Sequence, residues 1–207
     1  RRGPVKLALV GRGEAGARPL NLAEAKAGIK ALLKEEGIRV TPAAVEKQLQ
    51  PLKKAEEIRL NIEKMRAFGA EVSYYRADIA DSDAVRQLVS SVSEHLGQIS
   101  VAIHGAGIEE SRLLNDKTSS DFHRVFDGKA LGGRALFKAL PTKCFRVSMG
   151  SVAGRFGNAG QVDYSAANDA MARLCLSRKR GLHIDWTAWD DVGMAVRGGM
   201  KRLLEDR

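Results

Sequence analysis

The sequence predicts a doubly wound α/β fold built on a parallel sheet. Short apolar runs rich in β-formers alternate with longer stretches of helical periodicity along the 207 residues, and polar or glycine residues follow several of these runs directly. Strands that alternate with helices at this spacing are typical of parallel βαβ units. The chain is also long enough to bury a sizeable core.

Five short apolar segments bounded by turn residues are predicted as strands. They are residues 5–10, 72–77, 99–104, 145–149 and 182–186. In doubly wound sheets, ligands bind beyond the carboxyl ends of the strands. The sequence places Arg12, Asp78, residues 105–107 and Ser151 at such ends, which favours a nucleotide-like ligand at that edge of the sheet.

The pattern becomes helical over residues 21–68. Gly37 should end a first helix, and Thr41 with Pro42 provides an N-cap and an N1 proline for a second. We expect Pro51 to kink or divide this second helix because proline has no backbone N–H.

Three more helices are predicted further along the chain. Ser82 or Asp81 caps the first of them, and residues 161–177 form the last. Between these two, Thr118 and Asp121 have the spacing of a capping box. They should begin a long helix that ends before a proline.

The formal net charge of +9, with a pI near 9.8, is compatible with an acidic protein partner or a phosphorylated cofactor. The densest basic cluster, Arg178-Lys179-Arg180, falls at a predicted helix end, where cations suit the helix dipole. Basic residues interleaved with aromatic ones, and zinc-finger spacings, are missing from the sequence. We therefore expect no nucleic-acid partner.

The sequence has no apolar run of the roughly 18 to 20 residues that would span a bilayer, and its first residues do not form a signal peptide. We therefore predict a cytoplasmic protein with no membrane contact. Cys144 and Cys175 are the only cysteines, and they lack the spacing of metal ligands. They are interpreted as reduced, buried thiols, and no metal site is predicted.

Residues 148–168, SMGSVAGRFGNAGQVDYSAAN, resemble the active-site signature of short-chain dehydrogenases/reductases. In that superfamily a serine follows a strand, and a tyrosine 13 residues later begins a helix, as Ser151 and Tyr164 do here. Most members have a lysine four residues after the tyrosine, where this chain has Asn168. The ketoreductase domains of polyketide synthases typically have asparagine there and take the lysine from the preceding long helix. Lys129, in VFDGKALGG, is at the matching place.

The resemblance to these ketoreductase domains extends over nearly the whole chain and includes HGAG at residues 104–107 and IDWTAWDDVGM at 184–194. It implies a Rossmann-like fold and a single domain over residues 1–207. Residues 14–68 would form a helical insertion, similar to the longer version found in iterative synthases, including the polyunsaturated-fatty-acid type.

The chemistry of ketone reduction explains why these residue types are needed. Hydride addition leaves an alkoxide, so an acid must supply a proton while a donor holds the carbonyl oxygen. The resemblance implies that Tyr164 is the acid and Ser151 the donor. Lys129 would lower the pKa of Tyr164 and contact the cofactor ribose, and Asn168 would order the ribose or a water.

Taken singly, each of these four residues also has a structural interpretation. Tyr164 could be a half-buried packing residue, Ser151 an N-cap, Lys129 a solvated lysine and Asn168 a surface amide. Their shared order and spacing favours the functional interpretation.

The resemblance also implies residues for the cofactor. Arg12 lies where the family places an arginine against the adenosine 2′-phosphate, which favours NADPH, although a solvated turn arginine is the alternative. Asp78, with Ile79, lies where the family contacts adenine, and a helix-capping aspartate is the alternative. Three residues after the third strand would let the backbone approach the cofactor: Gly105, Ala106 and Gly107.

The chain departs from the pattern at the phosphate-binding loop. No strand is followed by a glycine-rich turn and a helix, and Gly11-Arg12-Gly13 imitates that element only weakly. We therefore expect the N-terminal βα unit to be missing from this chain, and the chain as it stands to bind NADPH poorly. The family's stereochemical motifs are also replaced, by Glu109-Glu110-Ser111 and by Phe156.

Three further predictions concern the ends of the last strands. His104 is expected to pack at a strand end rather than to act as an acid or base. Trp186 and Trp189 would anchor a loop, and residues 194–204 would form a lid helix over the substrate.

The function implied is NADPH-dependent reduction of a β-ketoacyl thioester on an acyl carrier protein within a polyketide or fatty-acid synthase. The other domains of the synthase would be partners, with a homodimer formed through the parent protein, and a basic surface would assist docking of an acidic carrier. Two alternatives stay open. One is a non-catalytic, reductase-like structural domain, and the other is a free-standing reductase of small ketones.

Overall fold

The computed structural model describes residues 3–187 of the chain. The chain divides into two compact units, Arg1–Asp78 and Ile79–Arg207, called here the N-terminal and C-terminal units. Each unit contains parallel strands flanked by helices, so the predicted α/β fold class is confirmed.

The N-terminal unit has two strands and two long helices. They are β1 (Lys6–Gly11), α1 (Leu22–Glu35), α2 (Pro42–Ala67) and β2 (Glu71–Arg76). β1 and β2 pair in parallel, with Leu7 opposite Val72. Both helices lie between the two strands in sequence, so they form the crossover that a parallel pair requires.

Helix α2 is capped as predicted, because the Thr41 hydroxyl accepts a hydrogen bond from the N–H of Ala44 at 3.1 Å. The helix continues through Pro51, so of the two expected outcomes, a kink or a division, the division does not occur. A proline removes only one hydrogen bond, and packing against α1 holds the helix on the N-terminal side of Pro51. The buried residues of that packing are Ile29, Leu33, Val45 and Leu49.

The C-terminal unit has a three-stranded parallel sheet in the order β3-β4-β5. Its strands are β3 (Val101–His104), β4 (Phe145–Ser151) and β5 (Gly181–Trp186). Its helices are α3 (Ser82–Leu96), α4 (Ser119–Phe126), α5 (Gly132–Ala139), α6 (Val152–Phe156) and α7 (Val162–Leu176). Because β4 is central, Ser148 is paired with His104 on one side and with His183 on the other.

The long helix expected after Thr118 consists of α4, a π-helical segment (Asp127–Leu131) and α5 in succession. The predicted capping box is present: Thr118 Oγ1 accepts from the N–H of Asp121 at 3.1 Å, and Asp121 Oδ2 accepts from the N–H of Thr118 at 3.2 Å. Helix α3 is capped by Asp81. Single π-helical turns are rare in proteins overall, but a large share of those that occur lie at functional sites.

The main apolar cluster of the C-terminal unit lies among α3, α5, α7 and the start of β4. Its buried members are Val89, Phe137, Leu140, Cys144, Met171 and Cys175. Both cysteines are therefore buried, as predicted. Within residues 3–187, no helix combines the length and the apolar character needed to cross a membrane.

Candidate active site

Ser151 is the last residue of the central strand β4 and the N-cap of α6. Its Oγ accepts a hydrogen bond from the N–H of Ala153 at 3.2 Å. The structural role that the sequence allowed for Ser151 is therefore present. The hydroxyl is nevertheless at the carboxyl end of the sheet, where a ligand of this fold binds.

Tyr164 and Asn168 lie one turn apart on α7, and both are buried. Asn168 Nδ2 donates to the backbone oxygen of Tyr164 at 2.8 Å. Asn168 Oδ1 is a buried acceptor with no hydrogen-bond partner among the described residues. Gly154 of α6 permits this packing, because a Cβ there would stand 2.7 Å from Asn168 Cβ.

The side chains of Ser151 and Asn168 lie close enough to the phenol of Tyr164 to influence its pKa. Burial raises the pKa of Tyr164, and these two neighbours act in the opposite direction without cancelling it. The negative charge of Glu109 adds to the increase. The phenol is consequently held in its protonated form, which is the form that can act as an acid.

Lys129 lies in the π-helical segment, and its side chain points into the protein rather than into solvent. The residue is 4% exposed. Its Nζ donates to the backbone oxygen of Met149 at 2.8 Å and to that of Ala106 at 3.4 Å. The ammonium therefore joins the end of β4, two residues before Ser151, to the turn that follows β3.

Burial lowers the pKa of Lys129 from its ordinary 10.5 to about 8. The sequence-based expectation that Lys129 lowers the pKa of Tyr164 is wrong for this structure, since the pKa of Tyr164 is raised. The physical reason is twofold: burial of the phenol outweighs the influence of nearby groups, and the ammonium is directed at two backbone carbonyls.

His104 is buried at the end of β3, as predicted, with its ring edge-on to Phe137. The sequence did not indicate its second contact, in which His104 Nε2 lies 2.9 Å from the backbone oxygen of Lys129. Burial, assisted by the charge of Lys129, lowers the pKa of His104 to about 4. A neutral imidazole therefore hydrogen-bonds to the π-helical segment at the residue that carries the ammonium.

The residues predicted to hold the cofactor are divided between the two units. Arg12 follows β1 and Asp78 follows β2, both in the N-terminal unit. Ile79 begins the C-terminal unit, where it lies against Gly132 at the start of α5.

Gly105, Ala106 and Gly107 follow β3. At Gly107 an added Cβ would stand 3.4 Å from Lys129 Nζ, so glycine lets this turn lie close to the ammonium. The nicotinamide end of a dinucleotide fits the chemistry of these groups, because its ribose hydroxyls could accept from the ammonium of Lys129 or donate to an acceptor such as the unpartnered Oδ1 of Asn168.

The pyrophosphate end has no such fit in the described residues. Gly13 is not followed by a helix, because α1 begins only at Leu22, after its N-cap Asn21. The Gly11-Arg12-Gly13 turn therefore lacks the helix N-terminus that holds a pyrophosphate in dinucleotide folds.

Two polar arrangements near the site were missed in the sequence. Lys117 and Asp163 form an ion pair at 2.6 Å with both side chains buried. Ser148, His183 and Asp185 form a hydrogen-bonded chain across β4 and β5, with distances of 2.6 and 2.9 Å. Ser148 is wholly buried, so it joins strands rather than acting as a nucleophile. No spacing signal could have revealed either arrangement, although Asp163 directly precedes Tyr164.

Trp186, predicted to anchor a loop, contacts the end of β4, because its Nε1 lies 3.0 Å from Met149 Sδ. Trp189 and the predicted lid helix at 194–204 lie outside the described residues. Phe156, at the position of one stereochemical motif, is exposed at the end of α6.

Solved structures of similar fold include ketoreductases. An N-terminal ketoreductase from the macrolactin assembly line matches with a TM-score of 0.64 and 23% identity, covering 90% of this chain and 32% of that one. A ketoreductase domain from the bacillaene assembly line matches with a TM-score of 0.60 and 28% identity, covering 99% of this chain and 49% of that one. The chain thus has the Rossmann-like fold of these ketoreductases.

The KR domain family model matches residues 1–191, and the chain belongs to that family. Similar proteins include mellein synthase of Phaeosphaeria nodorum, 34% identical over 142 residues, and polyketide synthase PksN of Bacillus subtilis, 32% identical over 158 residues. These matches cover 65% and 70% of this chain but only 8% and 3% of the relatives. The resemblance to ketoreductase domains of polyketide synthases is confirmed.

Proposed function

We propose that this chain performs the NADPH-dependent reduction of a β-ketoacyl thioester to a β-hydroxyacyl thioester, on an acyl carrier protein within a polyketide or fatty-acid synthase. The observation that carries the proposal is that the buried ammonium of Lys129 is bound to the end of β4, two residues before Ser151, while Tyr164 and Asn168 lie buried one turn apart on α7.

The roles of the residues follow from their protonation states. When bound, NADPH supplies the hydride that adds to the carbonyl carbon. Ser151 donates a hydrogen bond to the carbonyl oxygen, and Tyr164 transfers its proton to that oxygen, so that the ketone becomes an alcohol. Lys129 holds the cofactor ribose, and the proton of Tyr164 is replaced from solvent through a water ordered by Asn168.

The preference for NADPH is supported by Arg12, whose planar guanidinium suits the 2′-phosphate. The formal charge of +9 supports docking of an acidic carrier protein through electrostatic attraction. The proposal places the domain in the cytoplasm, beside the other domains of a synthase that forms a homodimer.

The test is the substitution Tyr164→Phe. It removes the proton donor but keeps the ring that fills the buried site, so we expect NADPH consumption with a β-ketoacyl thioester to fall about 100-fold or more. Tyr75→Phe, on β2, is the matched control and should leave the rate unchanged. NADH should support a slower rate than NADPH.

The assay should use both this chain and the product of the whole open reading frame that encodes it. Equal rates for wild type and Tyr164→Phe would exclude Tyr164 as the acid. No consumption of either nucleotide by either wild-type protein, despite a native fold, would favour the non-catalytic structural domain.

A further inference from the structure

A buried ion pair lies directly beside the proposed acid. Lys117 Nζ is 2.6 Å from Asp163 Oδ2, and the two side chains are 2% and 0% exposed. Lys117 is the residue before Thr118, the N-cap of α4, whereas Asp163 is in the first turn of α7. Removing two charges from water costs about as much free energy as their attraction returns, so a pair of this kind is not explained by stability alone.

Asp163 connects this pair to the backbone of the proposed acid. Its Oδ1 accepts a hydrogen bond from the N–H of Tyr164 at 2.8 Å. The N-cap residue of α7, Gln161, makes no side-chain capping bond. The carboxylate of Asp163 therefore satisfies one of the free N–H groups of the first turn, at the residue that carries the phenol.

Lys117 connects the pair to the segment that follows the turn after β3. Besides Asp163, its Nζ donates to the backbone oxygen of Glu110 at 2.9 Å. Glu110 lies in the segment 108–113, where the resembling ketoreductases carry a stereochemical motif. One ammonium thus joins this segment to the helix turn that carries Tyr164.

Three further contacts tie the same segment to the residues before Tyr164. Gln161 Nε2 donates to Glu109 Oε1 at 3.0 Å and to Ser111 Oγ at 3.2 Å, and the N–H of Arg112 donates to the backbone oxygen of Gly160 at 2.9 Å. The donors of these three contacts are uncharged, whereas Lys117 attaches the segment through a buried ammonium.

We infer that Lys117 is a positioning residue for ketone reduction: through Asp163 and Glu110 it fixes the phenol of Tyr164 relative to the segment 108–113. The inference rests on the proposed function, because it assigns Tyr164 the role of acid. Proton transfer depends steeply on distance and orientation, so a small displacement of the phenol should slow the reaction while leaving the fold intact.

The experiment compares Lys117→Met, Asp163→Asn and the double variant. Each single substitution leaves one buried charge without its partner and should lower the melting temperature strongly. The double variant has no buried charge and should recover most of the melting temperature. We expect its kcat to stay at least ~10-fold below wild type, with a larger solvent deuterium isotope effect on kcat because proton transfer has become slower.

The matched control is the double variant Arg173→Met with Asp169→Asn, an exposed ion pair on the same helix α7. It should have the kcat, KM and isotope effect of wild type. A stable double variant of Lys117 and Asp163 with those same wild-type values would show that the buried pair is only structural, and would overturn the inference.

Lys117→Gln is the second variant, in case the double variant does not fold. The amide keeps a donor near Asp163 but has a shorter reach and no charge, so a folded protein with reduced kcat is expected. A folded Lys117→Gln protein with wild-type kcat would also overturn the inference. If the wild-type protein itself consumes no NADPH with a β-ketoacyl thioester, the proposed function fails instead, which is a different and recognisable result.

Discussion

The two units bury different kinds of side chain. Within the described residues, the buried side chains of the N-terminal unit are apolar: Ile29, Leu33, Val45, Leu49, Ile62 and Val72. The C-terminal unit buries polar and charged residues as well: His104, Asp121, Lys129, Arg146, Ser148, Gln161, Asp163 and Asn168. Buried polar groups are costly unless they are hydrogen-bonded. These costly groups are concentrated in the unit that contains the candidate active site, which is where residues needed for a reaction can lower the stability of a fold.

Two buried cations of the C-terminal unit show how structural and functional burial differ. The guanidinium of Arg146 donates to four backbone oxygens, those of Phe137, Leu140, Pro141 and Cys144. Lys129 donates to only two, at 2.8 and 3.4 Å. Arg146 therefore uses four of its five N–H donors on backbone oxygens, whereas Lys129 makes only one short bond and keeps a donor for a ligand.

The largest effect is expected from Lys129→Met. The substitution keeps the length of the buried chain but removes the ammonium, so NADPH-dependent reduction should fall about 100-fold or more. The unfolding free energy at pH 7 should equal or exceed that of wild type, because a buried charge without an anionic partner is removed. Steady-state kinetics and urea denaturation measure the two quantities.

The pH dependence of stability sharpens this prediction. The pKa of Lys129 is about 8 in the folded protein and near 10.5 in the unfolded chain, so the unfolded chain binds more protons between these values. The stability of wild type relative to Lys129→Met should therefore rise as the pH rises from 8 towards 10. Arg146→Met is the contrasting variant, expected to lose stability because it removes the side-chain donor to four backbone carbonyls. A Lys129→Met protein that is less stable than wild type at pH 7 would contradict the distinction between the roles of Lys129 and Arg146.

Apolar periodicity predicted the N-terminal unit well because its core consists of apolar side chains. The spacing of Val45 and Leu49 indicated the buried face of α2, and Thr41 indicated where that helix begins. The unbroken course through Pro51 was not predictable, because local propensity says nothing about the packing that holds a helix together.

The C-terminal unit was predictable only where a family pattern supplied the information. A lysine in a helical sequence usually indicates a solvated position, so the burial of Lys129 could not be read from periodicity. The predicted direction of the pKa shift at Tyr164 was wrong because the burial that raises this pKa depends on the whole fold. Lys117 and Asp163 are 46 residues apart, and no periodic signal links them.

A smaller effect is expected from acid titration of His104. The folded protein holds this imidazole neutral down to about pH 4, whereas the unfolded chain binds a proton below about 6.5. The contribution of His104 to the free energy of unfolding should therefore be fully present above pH 6.5, and about 3 kcal/mol of it should be lost as the pH decreases to 4. His104→Gln, whose amide can still donate to the backbone oxygen of Lys129, removes this dependence.

The measurement is the difference in unfolding free energy between wild type and His104→Gln at pH 7 and at pH 4.5. Wild type should lose stability relative to the variant at the lower pH. A difference that does not change with pH would show that His104 is not held neutral in the folded protein, and the contact with the π-helical segment would need another explanation.

The smallest effect is expected in the N-terminal unit. Ile62 is 6% exposed on α2, and Ile62→Val removes one buried methylene, which should cost about 1 kcal/mol of unfolding free energy. Because the buried side chains in the described part of this unit are all apolar, the loss should be the same at pH 7 and pH 4.5. Urea denaturation followed by circular dichroism at both pH values measures it. The change from pH 7 to pH 4.5 should act on His104 in the C-terminal unit but not on the apolar core around Ile62. A pH-dependent loss for Ile62→Val would therefore contradict the contrast between the two cores.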